Sequence, residues 1–289
     1  MHRPKYHFHL DLKSTPAQNY PGDWTGRQRG KGYEFWQLRE YQQGDSVSLI
    51  DWKAKARTRR LFVREFLQET FYSLILVCDV SSSMFFGNKF RFMQDIATSL
   101  AYAAIKDNNP CGLLLYANQI EAYLKPRAEY SQFFRINKTI LDASKPRKKK
   151  AAIQPVMQYL HNVLPSSLVI FLSDFILEAS QTRLLQKGGQ NFGLGRHELV
   201  AFHLLEDIEY KLPEKVDGLV CLQDIESGKT MHLDLSRDRE YAQGMKSRLE
   251  KIKRHLFQMG IESLAIKTGD QDLELKVNSF FDRRAQSSR

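Results

Sequence analysis

The feature that most constrains the fold is a short apolar run at residues 73–80, SLILVCDV, which ends abruptly in the polar sequence SSSM. A run of this length with polar residues after it is typical of a buried parallel strand that leads into a loop. The next segment, residues 89–106, carries its apolar residues at the spacing of an amphipathic helix. A buried strand followed by such a helix predicts a βα unit.

The same pattern recurs along the chain. Further strands are predicted at residues 112–116, 168–173, 199–204 and 261–267, and helices at 131–141, 153–163 and 239–258. Strands that alternate with helices predict an α/β fold with a mostly parallel, Rossmann-like sheet and helices on both faces. Residues 113–116 and 120–124 are close enough in sequence to form a hairpin, which would add one antiparallel edge strand.

The first seventy residues differ from the rest in charge and pattern. They hold 13 basic and 8 acidic residues, which is half of the formal net charge of +10. We therefore predict an N-terminal basic extension containing β structure at residues 1–70, followed by the α/β domain at residues 71–289. A short strand could lie at residues 6–12, and residues 61–66 alternate apolar and charged side chains as a paired strand does.

Residues 32–65 mix aromatic side chains with side chains of both charges. The aromatic residues are Trp36, Tyr41, Trp52 and Phe62, and the charged ones include Arg39, Glu40, Asp45, Asp51, Arg57 and Arg64. Such a mixture can bury aromatic surface and satisfy internal ion pairs. We expect this segment to be a structural clamp and not a second active site.

The composition narrows the cellular setting. No apolar run approaches the roughly 18 to 20 residues that span a bilayer, and the start of the chain, MHRPKYHFHLDL, lacks the apolar core of a signal peptide. Cys78, Cys111 and Cys221 are odd in number, widely spaced and set among apolar residues, which favours buried core positions over disulfides or zinc ligands. A cytoplasmic protein is the expectation.

The net positive charge raises nucleic-acid binding as an alternative function, carried by the basic N-terminal region. The densest basic run, RKKK at residues 147–150, follows Pro146 and has no interleaved aromatic residue of the kind that stacks on bases. A solvated loop is therefore the favoured interpretation of that run.

Two strand-end loops carry the candidate chemistry. Asp79, Ser81 and Ser83 follow the first buried strand, and Asp174 follows the strand at residues 168–173. Ligands of open α/β sheets bind beyond the carboxyl ends of the strands. Carboxylate and hydroxyl oxygens suit Mg²⁺ or Mn²⁺ better than zinc. The alternative is that the serines only cap the next helix while Asp79 accepts hydrogen bonds from loop amides.

The sequence at residues 79–83, DVSSS, fits the Asp-x-Ser-x-Ser motif of the metal-ion-dependent adhesion site in von Willebrand factor A domains. Further segments resemble a bacterial family of uncharacterised A-domain proteins that are commonly encoded beside MoxR-type AAA+ ATPases. These segments are 32–35 (GYEF), 38–41 (LREY), 44–45 (GD), 50–53 (IDWK), 172–175 (LSDF), 209–213 (EYKLP), 224–228 (DIESG) and 280–284 (FFDRR). The resemblance extends over about residues 26 to 284.

The resemblance implies a von Willebrand factor A-like fold and a Mg²⁺ or Mn²⁺ ion held by Asp79, Ser81, Ser83 and Asp174. A carboxylate from a partner protein would complete the metal's coordination. It further implies a non-enzymatic adaptor that holds a client protein while a MoxR-type ATPase remodels it, in the assembly or maturation of other complexes. One departure weakens the implied site, because Ala151 stands where the family has a threonine ligand and the lysines at residues 148–150 disfavour a nearby cation.

An enzyme is not expected. Ser81 is not surrounded by a Gly-x-Ser-x-Gly elbow, and none of the eight histidines lies in a predicted strand-end loop with an acidic partner. The glycine-containing segment at residues 26–32 lacks the spacing and the Ser or Thr after lysine of a phosphate-binding loop.

Overall fold

The structure, a computed structural model, describes residues 4–10, 28–30, 34–43, 45–68, 73–145, 150–163, 167–176, 197–210, 219–223, 230–234 and 238–286. The elements are β1 (Gln28–Gly30), β2 (Glu34–Glu40), α1 (Trp52–Thr58), β3 (Phe62–Gln68), β4 (Leu74–Asp79), α2 (Lys89–Lys106), β5 (Cys111–Tyr116), β6 (Ile120–Arg127), α3 (Tyr130–Asp142), α4 (Gln154–Val163), β7 (Leu168–Ser173), β8 (Glu198–Leu205), α5 (Asp207–Tyr210), β9 (Leu219–Gln223), β10 (Thr230–Asp234), α6 (Asp238–Gln258), β11 (Glu262–Lys267) and α7 (Leu273–Gln286). Short 3₁₀ turns lie at Val47–Leu49 and Ser82–Phe85.

Six strands form the central sheet in the order β11-β8-β7-β4-β5-β6. Neighbouring strands are parallel except for β6, which pairs antiparallel with β5. The predicted fold class, an α/β fold with a mostly parallel sheet, helices on both faces and one antiparallel edge strand, is confirmed. The predicted bounds of α2 and β7 match the structure to the residue.

The core lies on both faces of this sheet. Every residue of β4, β5 and β7 is buried, which is why these strands are continuous apolar runs and do not alternate. Alternate residues of β4 face opposite sides, so that Leu76 packs in one cluster with α2, α3 and α7, and Val77 packs in the other with α4 and α6. Among the described residues, no helix has both the length and the apolar character that crossing a bilayer requires.

The pairing of β5 with β6 leaves no room for a side chain at Gly112. A Cβ atom there would lie 2.9 Å from the carbonyl oxygen of Leu124 and 3.0 Å from side-chain atoms of Ile75 and Pro126. The carbonyl belongs to a paired strand and cannot move aside cheaply. A glycine at this position lets β6 approach β5 closely.

Gly112→Ala should therefore lower the free energy of unfolding by about 1 to 2 kcal/mol, because a single methyl group overpacks the strand pair. Urea denaturation would measure the change. Gly244→Ala is the matched control, since nothing lies within 4 Å of its Cβ and the residue sits in α6. There alanine should be neutral or stabilising by up to about 1 kcal/mol. An equally stable Gly112→Ala protein would contradict the close approach.

The N-terminal region contains a second, antiparallel sheet in the order β1-β3-β2. Ile50 and Val63, the second of which lies in β3, are buried and form an isolated bridge. Both terminal guanidinium nitrogens of Arg39 donate to Asp45 at 2.7 Å. The paired strand predicted at residues 61–66 is confirmed as β3. The predicted domain boundary at residue 70 falls outside the described residues and stays a prediction.

Not every aromatic residue of this segment is buried. Trp52 exposes 56% of its surface. It is the first residue of α1, and α1 has no stripe of large apolar residues that could bind it to the sheet. Trp36 lies in β2, and its side chain is outside the described set.

Residues 4–10 pack on the α/β domain. Backbone amides of Tyr6, His7 and His9 donate to the side chains of Ser99, Glu274 and Asn278, at 3.1, 3.0 and 2.9 Å. Phe8 is 5% exposed and belongs to the core cluster that contains α2 and α7. No strand forms at residues 6–10, because these amides bond to helix side chains, and residues 11–12 lie outside the described part of the chain.

The described cysteines agree with the expected core role. Cys78 and Cys111 are buried free thiols, and burial raises the pKa of both well above its ordinary value. Neither is therefore suited to act as a thiolate nucleophile. The side chain of Cys221 lies outside the described residues.

Candidate metal centre

The candidate site lies at the carboxyl edge of the central sheet. Asp79 is the last residue of β4, and Asp174 immediately follows β7, the neighbour of β4. The chain leaves β4 through Val80, whose amide donates to the carbonyl of Tyr116, and turns into the 3₁₀ segment Ser82–Phe85. The exposed fractions of Asp79, Ser81, Ser83 and Asp174 are 0, 0, 7 and 2%.

Hydrogen bonds hold the first loop in a compact arrangement. The amide of Ser81 donates to Oδ1 of Asp79 at 2.8 Å, and the hydroxyl of Ser173 donates to Oδ2 at 2.6 Å. The hydroxyl oxygens of Ser81 and Ser83 lie 3.2 Å apart. Of the alternative to metal binding, one part is seen and one is not: Asp79 accepts a hydrogen bond from a loop amide, but Ser81, at the N-cap of the 3₁₀ turn, makes no side-chain capping bond.

The structure thus brings together the four residues that the sequence predicted as metal ligands. Asp174 lies within electrostatic reach of Asp79, and Ser173 connects the end of β7 to the Asp79 carboxylate. That these residues hold a metal ion stays a prediction.

The surroundings of Asp79 disfavour the ionised form of its carboxyl group. Burial, and secondly the neighbouring Asp174 carboxylate, raise the pKa of Asp79 to about 6 from an ordinary 3.8, although hydrogen bonds from Ser173 and Ser81 lower it. At neutral pH the buried charge is present at a cost. A cation placed beside it would remove that cost.

Lys89 is a buried residue of the candidate site that the sequence patterns did not indicate. Its side chain is 0% exposed, and its ammonium donates to Oδ2 of Asp174 and to Oε1 of Glu209, each at 2.7 Å. Burial lowers the pKa of Lys89, but the two carboxylates outweigh burial and the net shift is upward. One signal was available, because a lysine as the first residue of a helix opposes the helix dipole unless carboxylates compensate it.

His203 adds no positive charge to the site at neutral pH. It lies in β8, it is 5% exposed, and its ring meets that of Phe175 edge to face at 5.8 Å. Burial lowers the pKa of His203 to about 4, even though Asp174 acts in the opposite direction.

The loop ahead of α4 lies against the end of β5. The amide of Ala152 donates to the carbonyl of Ala117 at 2.8 Å, and Ala151 is 1% exposed within an apolar cluster that includes Tyr116. The Tyr116 hydroxyl approaches Oδ2 of Asp79 at 3.4 Å. Ala151 therefore sits in a well-packed loop but supplies no oxygen. Lys150 is exposed, whereas Lys148 and Lys149 lie outside the described residues.

The donor chemistry fits a hard divalent cation. Within the described part of the chain, no three Asp, Glu, His or Cys side chains are arranged to hold a metal, so a cation would depend on serine hydroxyls as well as carboxylates. The carboxylates of Asp174 and Glu209 share the buried ammonium of Lys89, and Asp79 lies within electrostatic reach of Asp174. Oxygen ligands of this kind, carboxylates and hydroxyls together, are those that Mg²⁺ takes in proteins.

Comparison with known proteins agrees with the resemblance seen in the sequence. A family model described as "Protein of unknown function DUF58" matches residues 37–251. The chain belongs to this family. A similar protein, "Uncharacterized protein Rv1480" of Mycobacterium tuberculosis, is 26% identical over 262 residues, which cover 87% of this chain and 79% of that protein.

Solved structures with related architecture are more distant. The BatB protein of Bacteroides thetaiotaomicron aligns with a TM-score of 0.44 and 10% identity, covering 74% of this DUF58 chain and 99% of that chain. A von Willebrand factor type A protein of Catenulispora acidiphila aligns with a TM-score of 0.39 and 11% identity, covering 77% of this chain and 44% of that chain. Neither alignment bears on function.

Proposed function

We propose that this DUF58 protein is a non-enzymatic adaptor that binds an acidic side chain of a partner protein at the carboxyl edge of its sheet. Asp79, Ser81, Ser83 and Asp174 would hold Mg²⁺ or Mn²⁺ there. When bound, the cation would offer a coordination position that a carboxylate of the partner completes. The observation that supports this most directly is the raised pKa of Asp79, because a buried carboxylate held ready for a cation has that property.

The surrounding residues orient the ligands. Ser173 and the amide of Ser81 fix the two oxygens of Asp79. Lys89 engages Oδ2 of Asp174, and the amide of Ile176 donates to Oδ1 at 3.2 Å. Prior positioning of this kind lowers the ordering cost of binding.

A binding role also agrees with the surroundings of Ser81. In the described structure its hydroxyl interacts with Ser83, and no histidine nitrogen is hydrogen-bonded to it. A serine hydrolase needs such a base beside its nucleophile. The geometry therefore favours recognition over catalysis.

The partners that we propose are a MoxR-type AAA+ ATPase and a client protein that this ATPase remodels, with the complex located in the cytoplasm. Family membership and the signature segments support this proposal. If binding runs through the metal centre, capture of purified ATPase or client should fail in EDTA and with Ser81→Ala. Capture that survives EDTA but is lost on nuclease treatment would instead favour nucleic-acid binding.

The affinity for metal is a separate prediction, testable with Mg²⁺ alone by calorimetry. Because Ala151 supplies no oxygen, wild-type protein should bind Mg²⁺ weakly, and Ala151→Thr should tighten binding by about tenfold. Ala152→Thr is the matched control, since it adds the same hydroxyl one residue further along, and should leave the affinity within about twofold. Tight binding by the wild type with no gain from Ala151→Thr would contradict this account.

A further inference from the structure

We propose that the exposed surface formed by α1 and the two residues after it binds an acidic segment of a partner protein, independently of the metal centre. This surface, named here the basic helix surface, consists of Trp52, Lys53, Lys55, Arg57, Arg59 and Arg60. All six side chains are exposed. Five of the nine residues from 52 to 60 are positively charged, and none is acidic.

Without a bound partner, this surface is energetically unfavourable. Trp52 exposes 56% of its area, and the Lys55 ammonium lies 5.0 Å from the centre of its ring. Like charges crowded on a short helix repel one another. A helix of seven residues is also marginal without outside support.

The protein nevertheless fixes both ends of this helix. Oδ1 of Asp51 accepts hydrogen bonds from the amides of Lys53 and Ala54, at 2.9 and 3.0 Å. Arg59 ends the helix in the left-handed conformation, with φ at 60°, which is unfavourable for a residue with a side chain. The positively charged side chains of this surface are thus held close together, and a negatively charged ligand would reduce the repulsion between them.

The size and surroundings of the surface favour an acidic protein segment over a nucleic acid. Seven helical residues extend about 10 Å, which corresponds to about three nucleotides. Carboxylates border it, because Asp51 caps the helix and Glu40 pairs with Arg60 at 2.9 Å. A longer phosphate backbone would meet these carboxylates. Lys55 also covers part of the indole ring that would otherwise stack on a base.

Fluorescence anisotropy with a labelled peptide of alternating aspartate and glutamate tests the proposal. Wild-type protein should bind the peptide, and the affinity should fall by about tenfold when salt is raised from about 50 to about 300 mM. The triple variant Lys53→Glu, Lys55→Glu, Arg57→Glu should bind at least about tenfold more weakly. Trp52→Ala, which keeps the charges, should lose about threefold or more through the missing ring contact.

The control is a triple variant of equal charge change on other exposed positions, Lys138→Glu, Lys251→Glu, Arg254→Glu. It should bind within about twofold of wild type. Equal losses in both triple variants would overturn the proposal, as would absence of binding by wild type or tighter binding of a single-stranded oligonucleotide of equal charge. Adding EDTA should leave the affinity for the peptide unchanged, so that the proposal for this surface and the proposal for the metal centre are tested separately.

Discussion

Replacement of Lys89 by methionine should lower the free energy of unfolding by about 3 to 5 kcal/mol, because it leaves buried carboxylates without their cation. The lysine side chain is 0% exposed, and its partner carboxylates in Asp174 and Glu209 are 1 and 19% exposed. Methionine fills a similar volume, so that the loss reports on charge more than on packing. Denaturant unfolding in EDTA would measure it.

Two further variants separate the charge effect from general damage. Lys138→Met, an exposed lysine of α3, should change the unfolding free energy by less than about 0.5 kcal/mol. Adding Glu209→Gln to Lys89→Met should recover part of the loss, since one of the two unpaired carboxylates is then neutral. A Lys89→Met protein as stable as wild type would show that the buried ion pairs are not needed.

Replacement of Asp79 by asparagine should stabilise the metal-free protein at pH 7 by about 3 kcal/mol and remove any stabilisation by Mg²⁺. The pKa of Asp79 is raised from 3.8 to about 6, so between these values the folded protein holds a proton that the unfolded chain has released. Wild-type stability therefore falls as pH rises from about 4 to 6, and the full cost remains above pH 6. Asparagine carries no charge; its side-chain oxygen can accept from the Ser81 amide, and its NH2 group can donate to the Ser173 hydroxyl oxygen, which reverses the direction of that bond.

The comparison is best made as a difference between the two proteins over pH. His203 acts in the opposite direction, because its pKa is lowered from 6.5 to about 4 and stability is lost as pH falls through that window. When the unfolding free energy of wild type is subtracted from that of Asp79→Asn, the contribution of His203 cancels. The remaining difference should grow as pH rises from about 4 to about 6. Asp282→Asn, at an exposed position, should differ from wild type by less than about 0.5 kcal/mol at pH 7. A destabilised Asp79→Asn protein in EDTA would mean that the carboxylate is structural.

The local sequence pattern determined the fold class and the placement of the predicted ligands. Buried runs at β4 and β7 identify parallel strands, and parallel neighbours end at the same edge of a sheet. Asp79 and Asp174 could therefore be placed together although 95 positions separate them, as the residue numbers show. Two things sufficed for this prediction: the short apolar runs that mark buried strands, and the rule that parallel strands end at the same edge of a sheet.

Only the tertiary structure decided which groups surround those ligands. Lys89 reaches Asp174 and Glu209 across 85 and 120 positions, and no local period encodes such a pairing. Phe8 enters the core from a segment where the sequence suggested a short strand and the structure forms none among residues 4–10. Trp52 stays on the surface although it is a large aromatic residue, because a hydrophobic side chain is buried only where neighbouring elements cover it.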